Sequence, residues 1–480
     1  MSAVLTVTPS PRKIPPRCRD LEHQAARHRR APKGFFRLAP RRSHGKRNRR
    51  SQSKDAQDKL MKTMADRWAG LLARPGLMLA SVLALGVLSA CGGGGGNVDS
   101  GDGSGSDPPG GGVTFTPTTE PVAVTQLPVG FSNPTAMAFL PDGRFIVVTS
   151  DRYLRLYEAD GSSYMYLNHA AFSRMTVGTE HTGLRDVAVD PAFDSNRRLY
   201  FTLVEGSDTP LARGTAVARA ELTDDGDLVP SYQVIYRQPK VTDGGHHYGG
   251  RMAFDREGHL FVTLGDRETP EQRVLAQDVA RGNGKVVRIT TEGEPAPGNP
   301  VMAGGLPGLW SWGHRNPQGA AIHPDTGELW THEAGPQGGD EINLTLPGRN
   351  YGWPVISHGQ VPGTTMPFGE GTSKPGMEQP LAVWDTSDGS PWAGGQKSSI
   401  GPSGMAFFTG SSPAHWRGSL FVGAREGTGL WRIQFDGTRE VGRERLLADR
   451  NERIVDVRMG PDGHLYVLTL PSGGVLRVGG

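Results

Sequence analysis

Cysteine is almost missing from this chain: Cys18 and Cys91 are the only two in 480 residues. So few sulfurs exclude a disulfide framework, and with Cys91 modified no thiol would remain beyond it for catalysis. Helical periodicity is scarce throughout. The apolar stretch from Leu77 to Leu88 is too short for a comfortable membrane span. Basic charge is in deficit past residue 91, where about 32 Lys and Arg face about 44 Asp and Glu, a net charge of roughly −12. That balance gives no electrostatic case for a nucleic-acid partner.

The basic excess sits at the other end. Residues 1–63 carry about eighteen Lys or Arg against about four Asp or Glu and few aliphatic runs, a composition that cannot bury a core. From Met64 the chain reads MADRWAGLLARPGLMLASVLALGVLSAC, with Arg67 and Arg74 ahead of the apolar stretch and small residues before Cys91. This is the pattern of a secretory signal over 64–91. Leu88-Ser89-Ala90-Cys91 resembles a bacterial lipobox, in which the cysteine is lipidated and becomes the mature N-terminus. A signal works only near the start of a chain, so residues 1–63 are read as a disordered extension from a mis-assigned start, with translation beginning at Met61 or Met64. The alternative is a long cytosolic extension with an internal anchor. Residues 92–127, rich in Gly, Ser and Pro, read as a tether. The absence of Asp after Cys91 points to the outer membrane, so the expectation is a periplasmic lipoprotein held to the membrane by lipid.

Residues 128–480 repeat one pattern: an alternating apolar strand, a turn rich in Asp and Gly, and a second alternating strand. The copies begin at Ala136, Asp186, Arg251, Gly319, Gly404 and Asp456. Each reads as a β-hairpin. Six such units predict an all-β, six-bladed β-propeller, with Gly474–Val478 completing the first blade to close the ring. Long insertions between copies, over 204–250, 268–317 and 333–402, are expected to build a site on one face.

GHHYGGRMAFDREGHLFVTLGDR, from Gly245 to Arg267, sets two histidines on a glycine-rich loop, then a strand, then an Asp at its end. Loops on a rigid scaffold carry chemistry, and imidazole exchanges protons near neutral pH. The string reads as a base and its orienting carboxylate. A second segment, WSWGHRNPQGAAIHPDTGELWTHEAGPQGGDEINLTLPGRNYGWP, spans Trp310 to Pro354.

Together these two segments resemble the glucose/sorbosone dehydrogenase family, soluble quinoproteins that oxidise aldose sugars with pyrroloquinoline quinone (PQQ) and calcium. The resemblance runs from about Pro128 to the C-terminus and implies a six-bladed propeller. Carried over residue by residue, HYGGR makes His247 the base and Asp266 its partner, with His246 in support. GHRNPQG makes Arg315 and Asn316 quinone contacts, Arg315 also stabilising the negative charge that develops on the quinone as hydride arrives. Arg453, in NERIVDV, matches a position that binds the cofactor's carboxylates. The backbone carbonyls of Gly335 and Pro336 match ligands of a catalytic calcium. Glu341, by side chain, and Tyr351, by backbone, match a second calcium site.

Four positions depart from that pattern. His181 stands where a Gln touches the cofactor region, Pro362 replaces a Tyr, Glu426 replaces a Lys and Val455 replaces an Arg. Lost cations and a gained carboxylate predict weaker quinone binding. The activity expected is PQQ-dependent oxidation of aldose-type sugars or related polyols and aldehydes; the sugar and the electron acceptor stay open. The alternative is a non-enzymatic propeller of the same ancestry that binds carbohydrate or protein. A lactonase would need a cage of side-chain carboxylates and amides for calcium, and the sequence offers no such set.

Overall fold

Alternation becomes strand pairing in the computed structural model, which describes residues 113–479 except 152, 168–171, 173–181, 207–211, 229 and 242–244. Cys91 and His181, and the expected extension, signal and most of the tether, lie outside the described residues. In the third repeat, Met252 pairs with Val262 and Phe254 with Leu260. The connecting turn is closed by Asp255, whose carboxylate accepts the amides of Glu257 and His259 at 2.9 and 2.8 Å. The recurring turn carboxylate thus occupies backbone donors that the reversal leaves unpaired.

Among the described residues there are six four-stranded antiparallel sheets, the blades of a propeller. Their innermost strands are Pro134–Phe139, Leu184–Val189, Gly249–Phe254, Pro317–Ile322, Pro402–Phe407 and Arg453–Met459. Every one of the six shifts register near its start, as between Gly249 and Met252 and between Pro317 and Gly319. Such bulges bend the strand and re-aim the residues beside them. All six open on the face where the site lies.

Neighbouring blades bury apolar side chains against each other, for example Leu154, Leu156 and Ala136 of the first with Phe201 and Leu203 of the second. The axis is closed by charge instead. Arg251 lies 3.6 Å from Asp186 and 3.2 Å from Asp456, and Arg458 lies 2.5 Å from Asp186 and 2.9 Å from Asp456. Arg251 also donates to the carbonyls of Gln318 and Val455, while the Met137 and Met252 amides donate to Asp456 and Asp186. Removing one member would strand a buried charge, at a cost of about 3 to 5 kcal/mol.

Ring closure differs from the expectation. The C-terminal strand, Val475–Val478, does not join the first blade; it pairs with its own hairpin partner, Leu465 to Val478 and Leu468 to Val475. A four-residue return after Leu470 leaves it no reach to another sheet. The outer edge of that last blade is covered by Val124–Gln126, with Val124 opposite Val478 and Gln126 opposite Leu476. The expected tether over 92–127 therefore overlaps the propeller. Thr116 and Thr118 upstream also bond to Arg432 and Glu444 of the fifth blade. A chain starting at Leu127 loses three ladder pairs and the packing of Val122 and Val124. Its Tm is expected to drop by about 5 °C or more in calorimetry; an unchanged Tm would contradict closure by the N-terminal strand.

Candidate active site

A cavity of about 300 Å³ opens where the innermost strands begin, lined by loops of the second to sixth blades. His246, His247, Glu268, Arg315, Asn316, Gly335, Pro336, Glu426 and Arg453 all line it. The insertions after Glu268 and Glu333 supply much of this wall. The one expected over 204–250 contains the two outer strands of the second blade, Arg213–Glu221 and Gln233–Arg237, and its last residues, His246, His247 and Tyr248, line the cavity.

His247 precedes the inner strand of the third blade, and Asp266 follows the next strand, Leu260–Leu264. Antiparallel pairing brings the two ends together, and His247 Nδ1 lies 2.7 Å from Asp266 Oδ1. Gly265 is required between them: a Cβ there would sit 2.0 Å from the His247 carbonyl oxygen. Asp266 is fully buried and also accepts the Trp353 indole N–H and the Glu268 amide, at 2.7 and 2.8 Å. Burial alone would raise its carboxyl, but the His247 bond and the charges of His247 and Arg315 hold it below the ordinary value. Burial, then the charge of Arg315, push the His247 imidazole below its usual value, against the opposing pull of Asp266. At neutral pH the ring is neutral, with its proton on Nδ1 and the Nε2 lone pair free to accept.

Arg315 and Asn316 are set by a carboxylate that sequence reasoning missed. Glu333, at the end of strand Leu329–Glu333, accepts the amides of Arg315 and Asn316 at 2.5 and 3.2 Å and meets His314 Nδ1 at 3.0 Å. A carboxylate ending the second strand of consecutive blades, as in LGD and THE, was the available signal. Arg315 donates to the Ala334 carbonyl and lies 5.4 Å over the Trp353 ring, and its buried Nε has no partner among the described residues. The Asn316 side-chain oxygen accepts the Gly249 amide at 3.1 Å and Gln318 Nε2 at 2.9 Å, which fixes the amide's orientation.

The Gly335-Pro336 turn is held by a second missed carboxylate. Asp340 accepts the amides of Gly335 and Ile400 at 2.9 and 2.7 Å and the single proton of the Ser399 hydroxyl, which lies 2.8 and 2.7 Å from its two oxygens. Burial pushes its carboxyl up to about 6. A Cβ at Gly335 would lie 2.1 Å from the Gly338 carbonyl oxygen, so only glycine fits. Neither the Gly335 nor the Pro336 carbonyl accepts a hydrogen bond among the described residues. Beneath the turn, Glu333, Gly335, Glu341 and Tyr351 line a small space of about 20 Å³, room for a single ion or water. Glu341 has one long bond there, 3.5 Å to Asn343, and burial beside Glu333 pushes its carboxyl up to about 8. A partly buried carboxylate so poorly satisfied, close to a turn with unbonded carbonyl oxygens, suits a hard cation.

The divergent positions separate in space. Glu426 and Arg425 both line the cavity, so the carboxylate shares the wall with a cation. Val455 is buried and lines a smaller chamber below, where its carbonyl serves Arg251. Pro362 is exposed and outside the cavity wall. Elsewhere, the acidic group Asp255, Glu257 and His259 is already neutralised by Arg288, 2.6 Å from both carboxylates.

The profile of the Glucose / Sorbosone dehydrogenase family matches residues 131–477. The chain belongs to this family. It is 38% identical over 362 residues to the aldose sugar dehydrogenase YliI of Escherichia coli K12, covering 74% of this chain and 92% of that protein. A crystal structure of a glucose dehydrogenase is 41% identical with a TM-score of 0.66, covering 75% of this chain and 99% of the other. The PQQ-bound aldose sugar dehydrogenase of Streptomyces coelicolor is 25% identical with a TM-score of 0.60, over 76% and 99%. The likeness expected from the two motif segments is thereby established, together with the propeller.

Proposed function

We propose that this oxidoreductase oxidises aldose-type sugars, or related polyols and aldehydes, with PQQ and calcium. The observation that carries this reading is the convergence of a neutral His247, Arg315 and two free carbonyls on one cavity. The residues suit the cofactor: Arg185, Arg315, Arg425 and Arg453 outnumber Glu268 and Glu426 in the wall, an excess of positive charge matched to a planar polycarboxylate. Gly335 and Pro336 would offer oxygens to calcium there, and Glu341 with the Tyr351 carbonyl would hold a second ion. When bound, the calcium-polarised quinone supplies the acceptor for hydride from C1 of the sugar.

The chain's own residues supply the rest. His247 Nε2 accepts the proton of the sugar's anomeric hydroxyl, and Asp266 stabilises the imidazolium so formed. Arg315 points donors at the negative charge that develops opposite the sugar. Trp353 keeps water from Asp266. A binding propeller has no use for such a base, so the geometry favours the enzyme.

Loading the purified protein with PQQ and calcium should give sugar-dependent reduction of a redox dye. His247→Ala should lower turnover by about 10²-fold or more while leaving the quinone Kd within a few-fold. A fully active His247→Ala protein would remove the base from the account.

Glu341 links calcium to pH. Its carboxyl keeps a proton up to about 8 in the folded, ion-free protein, against about 4.5 in the unfolded chain. Stability from that proton is complete below about 4.5 and is lost as pH rises through about 8. Calcium replaces the proton, so the Tm gain on adding calcium should grow across that window, and this growth should vanish in Glu341→Gln, which leaves the Gly335 and Pro336 site intact. A gain that is the same at both ends would contradict a calcium ligand here.

Display at the periplasmic side of a membrane through lipid on Cys91 completes the proposal. Cys91→Ser should leave the membrane fraction, and unchanged partitioning would refute the anchor.

A further inference from the structure

Three non-glycine residues with left-handed backbone gather in one place: His247 at φ 48°, Arg267 at 68° and Glu268 at 67°. Each costs about 1 kcal/mol or more, so the surrounding structure must enforce them. Residues 266–268 are laced to residues 245–247. Gly245 N donates to the Arg267 carbonyl at 3.0 Å and His246 N to Glu268 Oε2 at 2.9 Å. In return the Arg267 guanidinium donates to the Gly245 carbonyl at 3.0 Å and to the His246 carbonyl.

That guanidinium is an unusual investment. The side chain is 1% exposed, forms no ion pair among the described residues, and lies 3.5 Å over the Tyr248 ring. Its two terminal nitrogens donate to the two backbone carbonyls immediately before the base, while Nε has no partner among the described residues. A lysine could not lie flat on the ring and reach both carbonyls at once. Among the described residues, the hydrogen bonds of this buried cation all go to the loop that carries His247.

We propose that Arg267 is a positioning residue for sugar oxidation, gripping the Gly245 and His246 carbonyls so that His247 presents Nε2 to the cavity while Nδ1 stays on Asp266. The inference rests on His247 acting as the base. Arg267 itself does not line the cavity, so it acts through the loop.

The test uses Arg267→Lys in the full chain loaded with PQQ and calcium. Turnover should drop about tenfold or more with the quinone Kd nearly unchanged, as expected for a misplaced group. The acid limb of the kcat/KM profile should move up toward the ordinary imidazole value, because a released ring gains water. A merely structural loss would reduce the amount of active protein without moving that limb. Tyr248→Leu, which keeps both carbonyl bonds and removes only the ring, should act in the same direction more weakly. Titration of the His247 ring by NMR without quinone gives a readout independent of turnover. If that titration moves in Arg267→Lys but oxidation is indifferent to His247→Ala, the grip stands and the base reading fails. If neither the titration nor the pH profile moves in either variant, the grip is overturned.

Discussion

Asp266 has no access to water, and every bond its carboxylate makes is to a group the site needs in place. His247 comes from the loop before the third blade, Trp353 from the long insertion of the fourth, and the Glu268 amide from the strained turn beside it. A buried carboxylate with fewer donors would take up a proton or pull in solvent. With three donors and Arg315 nearby it stays charged, which fixes the imidazole tautomer, the indole orientation and the left-handed turn together. The cavity wall follows from this one desolvated charge.

The same economy recurs one blade on and along the axis. Glu333 sets Arg315, Asn316 and His314 as Asp266 sets His247, and Asp340 sets the Gly335-Pro336 turn. Each carboxylate stands near the end of a strand or the start of the next, where it accepts amides of loop residues at the site. Below them the Asp186, Arg251, Asp456 and Arg458 cluster ties the inner strands, so that loops from five blades are held against a fixed floor. Preorganised dipoles of this kind keep their alignment when charge develops during reaction.

Local signals survived well from sequence to structure. The six hairpins are legible because alternation and an Asp-Gly turn are properties of a dozen adjacent residues. The His247 and Asp266 pairing is legible because one hairpin joins them. What was not legible depends on distant partners. Val124–Gln126 is three residues long and declares itself only by covering the edge of Val475–Val478. Glu333 and Asp340 look like ordinary strand-end acids until the amides they accept are in place. The divergent positions show the same limit: Glu426 lines the cavity, Val455 lies under it, and Pro362 faces solvent, a distinction set by packing.

The central claim is that the charge of Asp266 organises the base, and Asp266→Asn addresses it directly. The amide matches the carboxylate in shape but carries only one acceptor oxygen. Turned to accept from His247 and the Glu268 amide, it sets its NH2 against the Trp353 N–H; turned the other way, it forces His247 into the wrong tautomer. In single-turnover mixing of the quinone-loaded protein with an aldose, the rate of quinone reduction should fall roughly 10²-fold or more, with quinone affinity retained. A rate equal to that of the unaltered protein would contradict the account.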